Sequence, residues 1–555
     1  MKVLLVGINS QYFHSNLAVR YLKSYTEDLE YTSKIREFTI NEREEIILKE
    51  IVKENPDVVA FSVYIWNVNI TRHIANLLKL VLEDVEILFG GPEVSFDSKE
   101  FLKEAPGEYL IYGEGEKTYH EFIEYKLGCK KIEDIKGICY KKDEEVILNP
   151  PRELMDMKEV KFPYKEDEDL SNKIVYFEGS RGCPFGCIYC LSSTSHGVRF
   201  QNAYEVIKQL QYFIDKKVKL VKFVDRTFNC NHDFTMKIWK YIIEADTDTQ
   251  FHFEISADLL NDKEIELLKN SPVGRIQFEV GVQTTNDEVL KNINRHVNFA
   301  DIKEKVNELS SIKNIKQHLD LIAGLPGEDL SSFKKSFDDV HSIRPEEIQL
   351  GFLKVLKGSE MREKTYDYKV KYSPYPPYEV LKTKDISYLE ILELKRVETV
   401  VDKYYNSQKF NNILNYFYSK FNSPYNFFLK LGDYFESKGY FNVNIGNREY
   451  YKVFLDFNKE VLADDNFELK EIIKYDYLMH NKRNDLPDFL RSEISKEISD
   501  KIKEIYKGKY SFKDNKLIVF YIDIDKYINE NIIIRQNTYY LISKDNSMKK
   551  VSYCV

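Results

Sequence analysis

Residues 179–192 read GSRGCPFGCIYCLS and set Cys183, Cys187 and Cys190 in one short run. Three of the chain's seven cysteines fall there. Gly182, Pro184 and Gly186 oppose a helix, so the thiolates are expected on an irregular turn that converges on one ion or cluster. The spacing CxxxCxxC offers three sulfur ligands and no evident fourth. An iron–sulfur cluster on three thiolates keeps one iron open to an outside ligand, whereas structural zinc needs a fourth protein ligand.

Working outward, the stretch sits at the end of the first strand of a βα series. Strands are expected at 173–177, 218–224, 250–256, 275–280, 316–321 and 348–353, with helical segments at 203–216, 234–245, 263–270, 299–310 and 330–341. Six units are too few for the eight-fold barrel, so an open, partial (β/α)6 barrel is expected, active at the carboxyl ends of its strands. That edge collects the cysteine run, then Asp225, Arg226 and Phe228, then Glu254, Ser256 and Asp258. Glu279, Gln283, the Gly324-Leu325-Pro326-Gly327 turn and Lys354 follow. Any one of these residues is as readily a barrel-end salt bridge or a helix cap.

The first 125 residues form an earlier series. Apolar runs at 2–8, 58–65, 85–89 and 109–112, and a weaker one near 33–38, alternate with helical periodicity at 16–27, 42–54, 70–82 and 117–125. Such units make a doubly wound, Rossmann-like parallel sheet that binds ligands outside the carboxyl ends of its strands. The loops there hold Asn9, Gln11, Tyr12 and His14; Ser62, Tyr64 and Trp66; Gly90, Gly91, Pro92 and Glu93; and Gly113, Glu114, Gly115 and Glu116. No GxGxxG follows the first strand, which argues against a dinucleotide. Turns alone account for GG or GEG taken singly, and His14 is as readily a surface or capping residue.

Residues 126–170 read as connecting structure with a hairpin around 136–149. Beyond Ser359 the βα register is lost: 391–405, 411–418, 426–437 and a long charged stretch at 485–506 read as helices, and 516–527 with 538–542 as strands. The expected division is an N-terminal domain over 1–135, a linker with hairpin over 136–171, the partial barrel over 172–360 and a mixed α+β domain over 361–555. Length alone favours about three domains. The net charge of −9 speaks against nucleic acid as partner. No segment reaches the roughly 20 apolar residues of a membrane span, and no signal peptide opens the chain. A cytoplasmic setting is therefore expected. Cys129, Cys139, Cys230 and Cys554 are scattered and read as isolated packed thiols.

CxxxCxxC with Tyr189 before its last cysteine, at the end of the first strand of a partial barrel, closely resembles the radical S-adenosylmethionine (SAM) superfamily. The N-terminal series, with NSQYFHSNLAVRYL at 9–22, FSVYIW at 61–66, GGPEVS at 90–95 and GEGE at 113–116, looks like the cobalamin-binding domain of B12-dependent members. The C-terminal region resembles an uncharacterised domain of one branch. The resemblance implies a 4Fe-4S cluster on Cys183, Cys187 and Cys190, with SAM on the open iron near Tyr189, Asp225, Arg226, Ser256, Glu279, Gln283, Gly324 and Pro326. It implies cobalamin near Asn9, Gln11, Tyr12, Ser62, Tyr64, Trp66, Gly90, Gly91, Pro92, Glu93, Gly113 and Glu114. It further implies an electron donor such as flavodoxin or ferredoxin, and methylation of an unactivated carbon of a small molecule or peptide.

One departure matters. Cobalamin domains of the methionine-synthase type carry DxHxxG after the first strand, SxL after the third and GG after the fourth. Ser62, Gly90 and Gly91 match, but Tyr64 replaces the leucine and no DxHxxG exists, so the lower cobalt face is expected free or water-bound. Three rival readings stand beside this one. They are radical rearrangement or cyclisation without methyl transfer, a zinc site completed by His196 or Cys230, and a non-catalytic adaptor.

Overall fold

The structure is a computed structural model and describes all residues except 166–167, 196, 483–485, 513 and 553–555. His196 and Cys554 thus lie outside the described residues. Contacts divide the chain into two units, residues 1–330 with 351–387 and residues 331–350 with 388–555.

In the first unit, strands β1 (Lys2–Asn9), β2 (Thr32–Thr39), β3 (Val58–Ser62), β4 (Glu86–Gly90), β5 (Tyr109–Ile111), β6 (Ile138–Lys142) and β7 (Glu145–Leu148) form one sheet, in the order β2-β1-β3-β4-β5-β6-β7. The first five are parallel, and the hairpin β6–β7 covers the β5 edge antiparallel. Helices α1 (Leu17–Tyr25), α2 (Glu44–Glu54), α3 (Val68–Val81), α4 (Ser98–Glu104) and α5 (Glu116–Lys126) complete the crossovers. The strands are continuous apolar runs because both faces are buried, Leu4, Val6 and Phe61 against one layer and Val3, Leu5 and Ala60 against the other. The strand order reverses between β1 and β3, which opens a crevice at their carboxyl ends. β3 stops at Ser62, short of the expected Ile65, because the Asn67 side chain accepts from Tyr64 N–H at 2.7 Å and closes a turn.

The second sheet has the order β8-β11-β12-β13-β14-β15, from β8 (Ile174–Phe177), β11 (Leu220–Phe223), β12 (Gln250–Ile255), β13 (Ile276–Gln283), β14 (Lys316–Ala323) and β15 (Glu347–Phe352). Between β8 and β11 stands a separate two-stranded hairpin, β9 (Ser180–Cys183) and β10 (Gly197–Phe200). Val175, Phe177, Phe223, Phe251, Phe253, Phe278 and Leu319 are buried on the outer face of the sheet. Alternation turns Tyr176, Lys222, His252, Glu254, Glu279, His318 and Asp320 to the inner one. A polar inner wall is a marked departure from the branched apolar layers that fill a closed barrel. The open edge at β8 is taken by the loop after β1: Ile174 N–H donates to Phe13 O at 2.8 Å, and His14 bridges Ile174 in parallel sense.

The second unit is largely helical. Tyr388–Val401, Asn411–Tyr418 and Pro424–Ser437 match the sequence expectation, while Asn447–Val461 and Phe467–His480 were not foreseen. The long helix expected over 485–506 is shorter, Lys496–Ile505, and Pro487 instead precedes the separate turn Asp488–Leu490. The strand expected over 516–527 ends at Phe520, because the Asp523 side chain caps a helix at Ile524–Glu530. Lys516–Phe520, Thr538–Ile542 and Met548–Val551 form an antiparallel sheet. Among the described residues no helix is long and apolar enough to cross a membrane.

Candidate functional site

The cysteine run is braced from several directions. Gly182 sits at φ +103°, and a Cβ there would stand 2.1 Å from Gly197 O, so the hairpin requires glycine opposite β10. Asp225, at the end of β11, accepts from Gly179 N–H at 2.9 Å and Ser180 Oγ at 2.6 Å. Burial pushes its carboxyl up to about 7 against those bonds. Asn294 donates to Gly186 O at 2.7 Å, Ile188 N–H donates to Ile293 O at 3.1 Å, and the Arg295 guanidinium lies 3.8 Å from Cys187 Sγ. Burial pushes the Cys187 thiol up, and Arg295 opposes it. Thr227 Oγ1 is 3.5 Å from Cys183 Sγ, and Ser192 N–H donates to Cys190 Sγ at 3.4 Å. Among the described residues no group of three His, Cys, Asp or Glu is close enough to share one metal ion. Thiolates that each take a different iron of a cluster stand farther apart than thiolates around one ion.

Most other sequence-selected residues of the barrel rim have protein partners. Tyr189 is half-buried beside Cys187 and Cys190, and desolvation raises its phenol. Arg226 is half-exposed, 3.8 Å from Glu254. Ser256 Oγ donates to Asp258 at 2.5 Å, and its backbone is held at both ends by the Asn229 amide. Glu279 pairs with Lys222 at 3.2 Å and His252 at 3.3 Å, and despite burial these hold its carboxyl below the usual range. Gln283 has φ +70° and a buried Oε1 with no hydrogen-bond partner among the described residues. Gly324, at φ +83°, packs on Val380, and Pro326 O accepts from Asn292 at 3.1 Å.

The carboxyl edge of the first sheet faces β8 and the hairpin across a cavity of about 730 Å³. Asn9, Ser62, Tyr64, Trp66, Gly90, Gly91, Pro92, Gly113 and Glu114 line one side. Tyr176, Glu178, Arg181, Leu191, Val224 and Arg226 line the other. Gly91 has φ +124°, and a Cβ there would fall 2.4 Å from Val63 O. Tyr64 and Trp66 stack at 4.4 Å, nearly parallel, and Trp66 donates to Ile8 O at 3.2 Å.

Three expected cavity residues lie elsewhere. Gln11 and Tyr12 do not line it, because their loop is drawn onto β8; Tyr12 is 76% exposed, with Lys173 over its ring at 4.4 Å. Glu93 is buried and tied to Lys357 at 3.1 Å and to the Tyr378 hydroxyl. Other residues, outside the expected cobalamin set, take part instead. His14 lies in the wall, its Nδ1 3.2 Å from Ser10 Oγ and 3.3 Å from the Tyr176 hydroxyl, and burial with Lys222 and Lys173 lowers its pKa. Asn16 reaches Ser62 Oγ at 3.0 Å, and Arg181, Glu178 and Glu116 form an ion cluster at the far end.

The residues present fit a large ring system: a glycine cradle at Gly90 and Gly91 and stacked aromatic rings, with His14 in the wall engaged through its Nδ1. Three family profiles match successive stretches: the B12 binding domain over residues 3–123, the Radical SAM superfamily over 177–340 and a Protein of unknown function (DUF4080) over 366–551. An uncharacterized methyltransferase of Pyrococcus horikoshii is 25% identical over 298 residues, 51% of this chain and 63% of that one. The cobalamin-dependent radical SAM methyltransferase TokK of Streptomyces tokunonensis is 24% identical over 359 residues, 60% of this chain and 52% of that one. The chain thus spans 52–63% of the length of these relatives. The structure of radical S-adenosylmethionine methyltransferase TsrM from Kitasatospora setae, with cobalamin and 4Fe-4S cluster bound, matches with TM-score 0.59 at 15% identity. That match covers 68% of this chain and 78% of TsrM, and at such identity the likeness is one of fold.

Proposed function

Because the chain belongs to the radical SAM proteins that carry a B12 binding domain, with a DUF4080 region following the barrel in sequence, we propose that it is a cobalamin-dependent radical SAM methyltransferase. Cys183, Cys187 and Cys190 would hold three irons of a 4Fe-4S cluster, leaving the fourth to the amino and carboxylate groups of SAM. When bound, these groups supply an electron to the SAM sulfonium and a methyl carrier on cobalt; the net outcome is methylation of an unactivated carbon of a small molecule or peptide.

The chain's own residues have separable tasks. Asp225 fixes the strand that leads into Cys183, and Arg295 sets a positive charge beside Cys187. Gln283, with its buried and unmatched Oε1, and half-exposed Arg226 are the rim groups best placed to bind SAM. Ser62, Gly90 and Gly91 would admit the corrin and its tail, and the loop after β1 carries no DxHxxG histidine. The observation that carries the proposal is that Arg181 and Leu191, which flank the three cysteines, share one cavity with Ser62, Gly90 and Gly91.

Anaerobic reconstitution with iron, sulfide and hydroxocobalamin, then SAM and a reductant standing in for the flavodoxin or ferredoxin, tests it. The expected result is a brown protein with about four irons that yields 5′-deoxyadenosine, and with substrate also S-adenosylhomocysteine. A colourless protein holding zinc overturns the proposal. 5′-Deoxyadenosine formed with substrate but without S-adenosylhomocysteine would move the reading to rearrangement or cyclisation.

A further inference from the structure

Gly113-Glu114-Gly115-Glu116 closes the carboxyl end of β5 and lines the cavity, yet its two carboxylates are engaged by the hairpin that carries Cys183. Arg181 and Arg199 stand opposite one another in the β9–β10 register. Arg199 grips Glu114 with both terminal nitrogens, at 2.5 and 3.2 Å, and donates to Met155 O at 2.5 Å. Arg181 donates to Glu116 at 2.5 Å and to Glu178 at 2.9 Å, and its guanidinium lies over the Tyr21 ring at 5.5 Å. The five side chains are only 7–25% exposed. Forked arginine–carboxylate pairs of this kind combine strength with directional control.

The hairpin needs such control. It is a two-stranded sheet hydrogen-bonded to neither of the large sheets on its flanks, and two strands alone are marginal in water. Asp225 holds its root; the loop after β5 holds its face. Glu114, Glu116, Glu178 and Arg181 also line the cavity, whereas Arg199 does not. A molecule that fills the cavity therefore packs on the same ion pairs that hold the strand ending in Cys183.

We infer that Arg181 and Arg199 are positioning residues that, through Glu114 and Glu116, couple occupancy of the corrin cavity to retention of the iron–sulfur cluster. The inference rests on the function proposed above. By linkage, whatever the corrin contributes to holding the clamp closed, the clamped cluster loop returns to corrin affinity. Arg199 is the informative position, since losing it removes clamp bonds without removing a cavity contact.

The test uses the reconstituted full chain and follows iron extraction by bathophenanthroline, with and without hydroxocobalamin. Hydroxocobalamin is expected to slow extraction on the order of tenfold in the parent. In Arg199→Gln the slowing should fall below about twofold although hydroxocobalamin still binds by its absorbance, and Arg199→Lys, which keeps the charge but not the fork, should recover part of it. Should Arg199→Gln fail to fold, Arg199→Lys alone carries the same expectation in smaller measure. Equal protection in parent and variants, or none in a parent that holds both cofactors, overturns the inference alone. A parent that holds no iron or binds no hydroxocobalamin overturns the proposed function with it.

Discussion

Asp225→Asn exchanges one carboxylate oxygen for an amide nitrogen at the residue that anchors the cysteine hairpin. The side chain is 1% exposed and accepts from Gly179 N–H at 2.9 Å and Ser180 Oγ at 2.6 Å. Burial nonetheless pushes its carboxyl up to about 7, while an unfolded aspartate titrates near about 3.9. Between about pH 4 and 7 the unfolded chain has released a proton that the folded chain keeps. Stability therefore falls as pH rises through that window, by about 1.4 kcal/mol per unit and about 4 kcal/mol in all, and is level above it. The sign is opposite to that of a salt-bridged carboxylate.

Asparagine carries no such penalty. Its Oδ1 can take the Gly179 N–H, and its Nδ2 can donate to Ser180 Oγ, which turns from donor to acceptor. Asp225→Asn is thus expected to match or exceed the parent at pH 8 and to lose that advantage by about pH 4–5. Asp225→Ala strands both donors, at about 1–3 kcal/mol each. Urea unfolding of the reduced, metal-free chain followed by tryptophan fluorescence reads this directly, because both tryptophans, Trp66 and Trp239, lie in the unit that contains Asp225. A loss of more than about 2 kcal/mol in Asp225→Asn at pH 8, or a parent–variant gap that is constant from pH 5 to 8, would refute the assignment of burial as the dominant cause.

Cys187→Ala should lose the iron and keep hydroxocobalamin, checked by metal analysis and absorbance; loss of both would mean that the two sites are not separable. Gly91→Ala places a Cβ 2.4 Å from the Val63 carbonyl in a backbone region side chains rarely adopt, so hydroxocobalamin affinity should drop at least tenfold, and an unchanged titration contradicts the cradle. Arg295→Gln removes a charge 3.8 Å from Cys187 Sγ and should lower the cluster's reduction potential on the order of 50 mV in an EPR-monitored titration; no shift would mean that the charge is screened. In the second unit Lys474, fully buried, pairs with Glu471, and burial brings its amine down to about 8. Lys474→Met should cost about 3–5 kcal/mol by hydrogen exchange over 467–480, with recovery in Lys474→Met/Glu471→Leu. In the parent, the same region should gain stability as pH rises from about 8 to 10.5, because the folded amine loses its proton before the unfolded one.

The helix Phe467–His480 escaped notice because Glu471, Lys474 and Asp476 are buried with its apolar residues, which erases the one-sided pattern that marks a surface helix. The helix at Ile524–Glu530 did leave a signal, Asp523 at its N-cap, which an apolar run read as strand concealed. The loop 10–14 was placed at the right sheet edge, but Gln11 and Tyr12 were drawn out of the cavity by pairing with β8.

The amino-acid sequence by itself determined both βα series, the carboxyl edges at which their loops gather, and an irregular turn for Cys187 and Cys190, whereas Cys183 instead ends strand β9. Each of these follows from constraints a few residues long: the burial period of a strand or helix, the φ range of glycine and proline, the spacing of thiols. Only the tertiary structure decided which loops meet. Arg295 lies 108 positions from Cys187, Arg199 85 from Glu114, and Tyr176 162 from His14. No local pattern joins such pairs, because the partners are chosen by how two sheets stack and which edge each leaves open. The braced cysteine hairpin, and the cavity that ends against it, are products of that stacking.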